Sequence, residues 1–386
     1  MRALTPLTEE QRAIQQVARD FAAEHIAPFS AKWDEEQYFE PELVPKLGEL
    51  GFLGMMIPEK YDGLGLDTLT YLVALEEIAI VDASVAVMLS VHNSLPTQML
   101  LKWGTEEQKE RFLKPMARGE MLGGFALSEP EAGSDAASLR TQAVRDGDTW
   151  ILNGTKAWVS SGSKGDVFLA MARTDSPDDR KGARGISTFI VTPDLPGFSV
   201  SKKEDKMGLR ASPTVQLRFE EMRVPADRLL GEPGNGFIYA MQSLDNGRLG
   251  IASQAIGIAE AALRHSIAYA AERKQFGKPI KEFQAIQFKL ADMAARITAA
   301  RALLHMSAIA KDRGEPITQF GSMAKLLASE TAMWVTTQAV QIFGGYGYVK
   351  EYPVERLFRD AKVTEIYEGT SEVQRIVIAR ELYSHT

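Results

Sequence analysis

The sequence predicts an α+β chain, mostly α, in which a run of short strands is set between two helical regions. Three observations carry this. Apolar residues recur at helical spacing from Thr8 to about Gly119, short apolar or alternating segments replace them from Leu122 to Leu229, and long helical patterns fill the chain after Gly236. The expected divisions are 1–121, 122–230 and 231–386.

Each element has a local reason. Thr8 with Gln11 makes a capping box for a first helix that carries Ile14, Val17, Phe21 and Ala22 on one side. Pro41–Leu50 reads as a short helix with Pro41 at its first position, and Thr68–Ile80 as another. In the middle third, Asn153-Gly154 is a hairpin turn signal between Thr149–Leu152 and Lys156–Ser160. Val167–Ala172 and Ile186–Val191 are apolar enough for buried strands. Val215, Leu217 and Phe219 alternate with polar residues, as a strand with one wet face requires. The polar stretch Asp175–Ala183 reads as an exposed loop. Helices are then expected over Gly236–Glu272, Phe283–Lys311, Ile317–Phe343 and Ser371–Tyr383, with Gly344 stopping the third.

Composition narrows the function. The 386 residues are 45% hydrophobic and 25% charged, ordinary for a chain that buries a sizeable core. A net charge of −7 without a basic run gives no reason to expect nucleic acid, and no apolar run approaches a membrane span. The first residues, with Glu9 and Glu10 soon after Arg2, read as neither signal nor transit peptide, and a cytoplasmic protein is expected. The absence of cysteine excludes disulfides, thiolate catalysis and Cys-ligated metal. No HExxH, GxSxG or P-loop occurs, and His25, His92, His265, His305 and His385 are scattered at no ligand spacing, so structural roles are expected for them and no metal site. Gly344-Gly345-Tyr346-Gly347 follows a helix, the wrong order for a dinucleotide fingerprint.

The segment Ile366-Tyr367-Glu368-Gly369-Thr370-Ser371-Glu372 is the most informative in the chain. It sets one carboxylate between an apolar pair and a glycine where a terminal helix begins. Thr370 can cap that helix, and Ser371, Glu372 and Gln374 suit its first turn. Desolvation by Ile366 and Tyr367 would raise the Glu368 pKa towards the range of a general base, and Gly369 allows close approach of a ligand.

Phe125–Asp135 (FALSEPEAGSD), Asn153–Gly162 (NGTKAWVSSG), Arg273–Gln287 (RKQFGKPIKEFQAIQ), Gln341–Tyr348 (QIFGGYGY) and Ile366–Arg375 (IYEGTSEVQR) occur in this order. With them the chain resembles the acyl-CoA dehydrogenases over nearly its whole length, closest to the short-chain, butyryl-CoA type. The resemblance implies an N-terminal helical domain, a middle β-barrel-like domain and a C-terminal four-helix bundle. It also implies a homotetrameric FAD enzyme that oxidises an acyl-CoA to the trans-2-enoyl-CoA and passes electrons to electron-transfer flavoprotein. A same-fold flavin oxidase using O2, a branched short-chain acyl-CoA dehydrogenase and a flavin-loaded module without turnover are the alternatives.

By the resemblance Glu368 is the base that removes the α-proton while hydride leaves for flavin N5, and its backbone N–H helps to bind the thioester oxygen. Some members carry the base at the position of Gly247, so no rival carboxylate is present here. Trp158, Val159 and Ser160 resemble flavin contacts, with Ser160 where many relatives have Thr. Phe125, Leu127 and Ser128 resemble the loop lining the ring, and Gly133 and Ser134 a turn that meets cofactor and CoA. Arg273, Gln275 and Phe276 resemble a segment reaching the FAD of a neighbouring subunit, with Gln284, Gln341, Gly344, Gly345, Thr370 and Glu372 as further FAD contacts. On the substrate side the resemblance assigns Asp245 and Arg248 to the CoA nucleotide and Gln254 and Thr364 to the closed end of a short acyl pocket, with Tyr367 and Gly369 as further substrate contacts.

Overall fold

The computed structural model describes residues 4–176 and 180–384. Helices α1 (Glu9–Phe21), α2 (Ser30–Glu36), α3 (Leu43–Glu49), α4 (Thr68–Val81), α5 (Ala83–Ser94) and α6 (Pro96–Trp103) form the first region. The α1 capping box is present, with the Gln11 N–H donating to Thr8 Oγ1 at 3.1 Å and the Thr8 N–H to Gln11 Oε1 at 3.0 Å. Asp67 caps α4 and Asp82 caps α5. Helix α3 starts later than expected. Pro41 lies in the preceding turn, and Glu42 takes the N-cap position.

Strands β1 (Gly123–Ala126), β2 (Gln142–Asp146), β3 (Thr149–Ser160), β4 (Val167–Arg173), β5 (Ile186–Val191), β6 (Phe198–Lys203), β7 (Thr214–Pro225) and β8 (Leu229–Leu230) make one sheet in the order β6-β7-β3-β2-β4-β5-β8, with β1 parallel to β4. The hairpin expected at Asn153-Gly154 is not there. The chain turns at Gly147, φ +58°, and β3 runs on through Asn153 and Gly154. The reason is a bulge. The Asn153 amide pairs with Glu221 on β7, and at Gly154 a Cβ would come 2.8 Å from the Thr141 Cα. The same turn dipeptide that can reverse a chain here kinks a continuous strand.

Of the Asp175–Ala183 stretch, residues 177–179 lie outside the described residues; Ser176, Arg180, Lys181 and Gly182 are exposed as expected, and the departure is at Asp175. Asp175 is buried. It accepts from Arg173 at 2.6 and 2.8 Å, from Arg180 at 3.2 Å and from the Lys181 N–H at 2.7 Å, so its charge is drawn inward rather than solvated.

Helix α7 (Gly236–Glu272) opens the last region, followed by a hairpin of β9 (Lys274–Gln275) and β10 (Lys278–Pro279), then α8 (Gln284–Asp312), α9 (Thr318–Phe343), α10 (Val354–Val363) and α11 (Ser371–Ser384). One apolar core joins the two helical regions, with Leu72, Val85 and Leu89 against Ile251, Ile256 and Ala259. Buried polar ties cross it. Ser253 Oγ donates to the Leu72 carbonyl at 2.7 Å, and Arg301 of α8 bridges Glu76 of α4 and Glu260 of α7 at 2.7 and 2.9 Å. His92 is buried between the Gly123 N–H, which donates to Nδ1, and the Leu53 carbonyl, which Nε2 meets at 3.0 Å. Burial drives it down to about 4, so it stays neutral in a structural role; His385 is outside the described residues. Among the described residues no helix is long and apolar enough to cross a membrane.

Candidate active site

Glu368 occupies the short link between α10 and α11, packed against α7 and α9. Its backbone is left-handed at φ +52°, and Gly369 follows at +90°. A helix could not turn so sharply into α11 without such a pair. The Ser371 N–H closes the link on the Glu365 carbonyl at 2.9 Å, and Thr370 Oγ1 caps α11 by accepting from the Val373 N–H at 3.3 Å. The residue is half-buried, but both carboxylate oxygens are enclosed and have no hydrogen-bond partner among the described residues. Room for them comes from Gly247, where an added Cβ would lie 1.9 Å from Oε2.

Burial pushes the Glu368 carboxyl up to about 7, against the pull of Lys325 and Arg248. A base must be deprotonated to act. The expected kcat/KM therefore rises about tenfold per pH unit up to about pH 7 and levels above it. A pH–rate profile flat from 5 to 8 would remove Glu368 from the role.

Around the carboxylate the structure gathers several of the anticipated residues. Tyr367 OH donates to Gln254 Oε1, and Gln254 Nε2 donates to the Ala83 carbonyl at 2.7 Å, so link, α7 and α5 meet at one fully buried amide. Thr364 is fully buried and bonded to the Ala361 carbonyl at 2.6 Å. Arg248 is buried, paired with Asp245 at 2.5 Å and with Ser322 Oγ at 3.2 Å, while Thr318 holds the other Asp245 oxygen at 2.9 Å. The Glu372 carboxylate is held below its usual range, chiefly by a backbone N–H at the start of α11 and by Thr370.

On the sheet, a bulge in β3 between Lys156 and Val159 gives Trp158 φ +60° and turns its indole outward, 61% exposed. Val159 and Leu127 are buried, while Phe125, Ser128 and Ser160 are half-exposed. The Phe125–Glu129 loop is fastened to β3 from below. The Ala157 N–H donates to the Ser128 carbonyl at 2.9 Å, and fully buried Lys156 donates to the Leu127 carbonyl at 3.2 Å and to Glu129 at 2.8 Å. Burial disfavours the Glu129 charge, but Lys156 and the Arg140 and Thr141 N–H groups outweigh that and keep it ionised. Lys156→Met strands this carboxylate, at a cost of about 3–5 kcal/mol. The expected result is a lower Tm together with loss of flavin on gel filtration; a wild-type value for both would rule out the fastening role.

The remaining cofactor candidates lie elsewhere. Arg273, Gln275, Gly344 and Gly345 line a hollow of about 640 Å³ with Tyr346 and Tyr352, and none of Phe125, Trp158, Ser160 or Glu368 borders it. Phe276 and Gly277, φ +52° and +82°, form the tip of the β9–β10 hairpin, and the Phe276 ring is 93% exposed. Gln284, Gln341, Gly133 and Ser134 are exposed.

The sequence reading passed over Lys325 and Lys156, both fully buried, and it counted Gly247 as the absence of a rival acid, not as space for Glu368. A signal existed for Lys325. It falls on an α9 face otherwise made of small buried residues, Gly321, Ser322, Ala328 and Ser329, where a long cation has no ordinary reason to be.

A mostly helical body with an embedded sheet thus holds an enclosed carboxylate with no hydrogen-bond partner among the described residues, a group suited to taking up a proton, and an outward-turned indole that offers a flat apolar face. The family models Acyl-CoA dehydrogenase, N-terminal domain, middle domain and C-terminal domain match residues 8–120, 124–222 and 234–383. The mitochondrial short-chain specific acyl-CoA dehydrogenase of Bos taurus is 50% identical over 97% of this chain and 90% of its own. The structure of butyryl-CoA dehydrogenase from Megasphaera elsdenii superposes with a TM-score of 0.96 at 47% identity, covering 98% of this chain and 99% of that one. A chain in the structure of the electron transferring flavoprotein of Acidaminococcus fermentans gives 0.95 at 47% identity, with 98% of each chain covered. The chain belongs to the acyl-CoA dehydrogenase family, and its cofactor is FAD.

The residues present fit that group. Trp158 and Phe125 offer flat apolar surface beside the hydroxyls of Ser128 and Ser160, and a Cβ on Gly344 or Gly345 would meet nothing within 4 Å, so the backbone there is open to a ligand.

Proposed function

We propose that this acyl-CoA dehydrogenase oxidises a short, butyryl-like acyl-CoA to the trans-2-enoyl-CoA, with Glu368 removing the α-proton and electron-transfer flavoprotein taking the electrons. The observation that carries this is the Glu368 carboxylate, enclosed and unpaired on a rigid link. When bound, FAD supplies the two-electron acceptor. A weakly acidic α-proton needs a base of matched pKa held at contact distance, and burial gives Glu368 a value near neutrality. The Glu368 N–H has no partner among the described residues, which leaves it to bind the thioester oxygen and stabilise developing enolate charge.

Short chain length is supported by the buried Gln254 amide, bonded at both ends, and by buried Thr364, which leave no polar gap for a longer chain to displace. The names of the relatives support the same length class. Phe125, Leu127, Ser128, Trp158, Val159 and Ser160 would hold the ring portion of FAD, with Thr370 and Glu372. Gly133 and Ser134, with the Asp245–Arg248 pair, would meet the CoA side. The separate hollow at Arg273, Gln275, Gly344 and Gly345 supports a cofactor shared between two subunits of a homotetramer, with Gln284 and Gln341 proposed as further contacts. Cytoplasmic residence and domain limits at 1–121, 122–230 and 231–386 complete the reading.

Phe276 would then insert into a partner. Phe276→Ser is expected to lower the tetramer fraction and flavin content together, read by analytical ultracentrifugation with absorbance at two wavelengths. Assembly that survives while flavin is lost would break the link between them.

The function itself is tested by anaerobic titration with butyryl-CoA. Bleaching of oxidised flavin near one equivalent supports cofactor, reaction and chain length together; no bleaching with butyryl-CoA, but bleaching with longer or branched acyl-CoAs, overturns the short-chain reading alone.

A further inference from the structure

The link that carries Glu368 is held by two side chains from outside it. Lys325 Nζ donates to the Gly369 carbonyl at 2.8 Å. Gln374 Nε2 donates to the same carbonyl at 2.9 Å and to the Glu368 carbonyl at 3.1 Å. The two carbonyls so held belong to the two consecutive left-handed residues, the conformation that a residue with a Cβ disfavours. Lys325 is 0% exposed, and a buried ammonium is tolerated only where its charge has a counterpart. The counterpart at hand is Glu368. Lys325 lies on α9 and Gln374 on α11, so the link is clamped from the bundle on one side and from the helix it opens on the other.

We propose that Lys325 and Gln374 are positioning residues that lock the Glu368 link in its left-handed geometry, and that the Lys325 ammonium sets the charge balance of the carboxylate chamber. The groups that face Glu368 are Lys325 from α9, Arg248 from α7, Tyr71 from α4 and Tyr367 beside it. Behind them, Glu365 and Glu372 act on Lys325, while Asp245 and Arg380 act on Arg248. Arg248 spends its charge largely on Asp245, its partner at 2.5 Å. Lys325 has no carboxylate bonded to it among the described residues, so its field falls on Glu368 with less cancellation. Removing the ammonium disfavours the ionised base and moves the acidic limb of the rate profile upward.

The inference rests on Glu368 as the base. The experiment compares wild type with Lys325→Met, Lys325→Arg, Gln374→Ala and Glu368→Gln as flavin-loaded proteins, measuring kcat, KM and the pH profile with butyryl-CoA. Lys325→Met is expected to lose tenfold or more in kcat with KM within twofold, and its acidic limb moves up by about a pH unit. Lys325→Arg keeps the limb in place. Gln374→Ala, which leaves the charge, loses severalfold in kcat with an unmoved limb. A Lys325→Met enzyme with a wild-type limb overturns the proposal, because Lys325 is then only packing. Where Lys325→Met yields no folded protein, Gln374→Ala decides, and a wild-type kcat there overturns the clamp. Turnover by Glu368→Gln would remove the base reading itself, whereas an inactive Glu368→Gln beside wild-type-like Lys325 and Gln374 variants removes only the clamp.

Discussion

Glu368→Gln keeps its flavin and loses turnover by about four orders of magnitude, the upper end of what a positioned general base contributes. The amide has the shape of the carboxylate and no basic lone pair for an α-proton. Because neither oxygen of Glu368 is hydrogen-bonded among the described residues, the substitution breaks no hydrogen bond there; what it removes is the basic group and the charge that faces Lys325 and Arg248. A second readout follows from linkage. The folded carboxyl titrates near 7 and the unfolded one near 4.5. Between those values the folded state keeps a proton that the unfolded state has released, so stability falls as pH rises through this window and is level above it. Roughly 3 kcal/mol is lost across it. Gln cannot ionise, so Glu368→Gln should melt higher than wild type at pH 8 and with little difference at pH 4. Calorimetry at the two pH values, beside stopped-flow flavin reduction, checks both halves. A variant that still reduces its flavin at speed, or a melting difference independent of pH, would contradict the assignment.

Gly247→Ala carries the second largest effect. The new methyl would stand 1.9 Å from Glu368 Oε2 and 2.8 Å from its Cδ. These atoms are the far end of a flexible side chain, so the fold yields cheaply by rotating the carboxylate away. Within a helix the change from Gly to Ala is itself favourable by about 0.5–1 kcal/mol. The expected protein is as stable as wild type, loaded with flavin, and about a hundredfold slower, since a misplacement near 1 Å costs that much. Measuring Tm, flavin content and kcat on one preparation separates the outcomes. Wild-type kcat would mean that the chamber has slack, and a collapsed Tm would mean that Gly247 serves backbone packing.

Long elements were legible because their patterns are long. Helix α7 was placed at Gly236–Glu272 and is found there, and Gly344 ends α9 with φ +61° as a stop residue should. What failed has particular causes. Helix α5 was not singled out within the helical first region because it is buried all round and so has no polar face to give it a period. Asn153-Gly154 carries turn chemistry, but side chains on another strand recruit it into a bulge, and nothing local records that. The site divides the same way. Glu368 stood out locally, but the expected shielding by Ile366 did not hold, since that side chain is 52% exposed; the enclosure, the space at Gly247 and the cation at Lys325 depend on helices about 120 and 40 residues away in the chain.

The shared core has a consequence for how the chain is made. Helix α4, apolar on nearly every side, is covered mainly by α7, and the Ser253–Leu72 and Gln254–Ala83 bonds span 181 and 171 residues. At ribosomal speed that separation corresponds to about 10–35 s during which α4 and α5 have left the exit tunnel and their final partner has not. For that interval the nascent chain exposes a sticky surface with no native means of hiding it. Chaperone supply during translation, more than the stability of the finished enzyme, should therefore govern its yield.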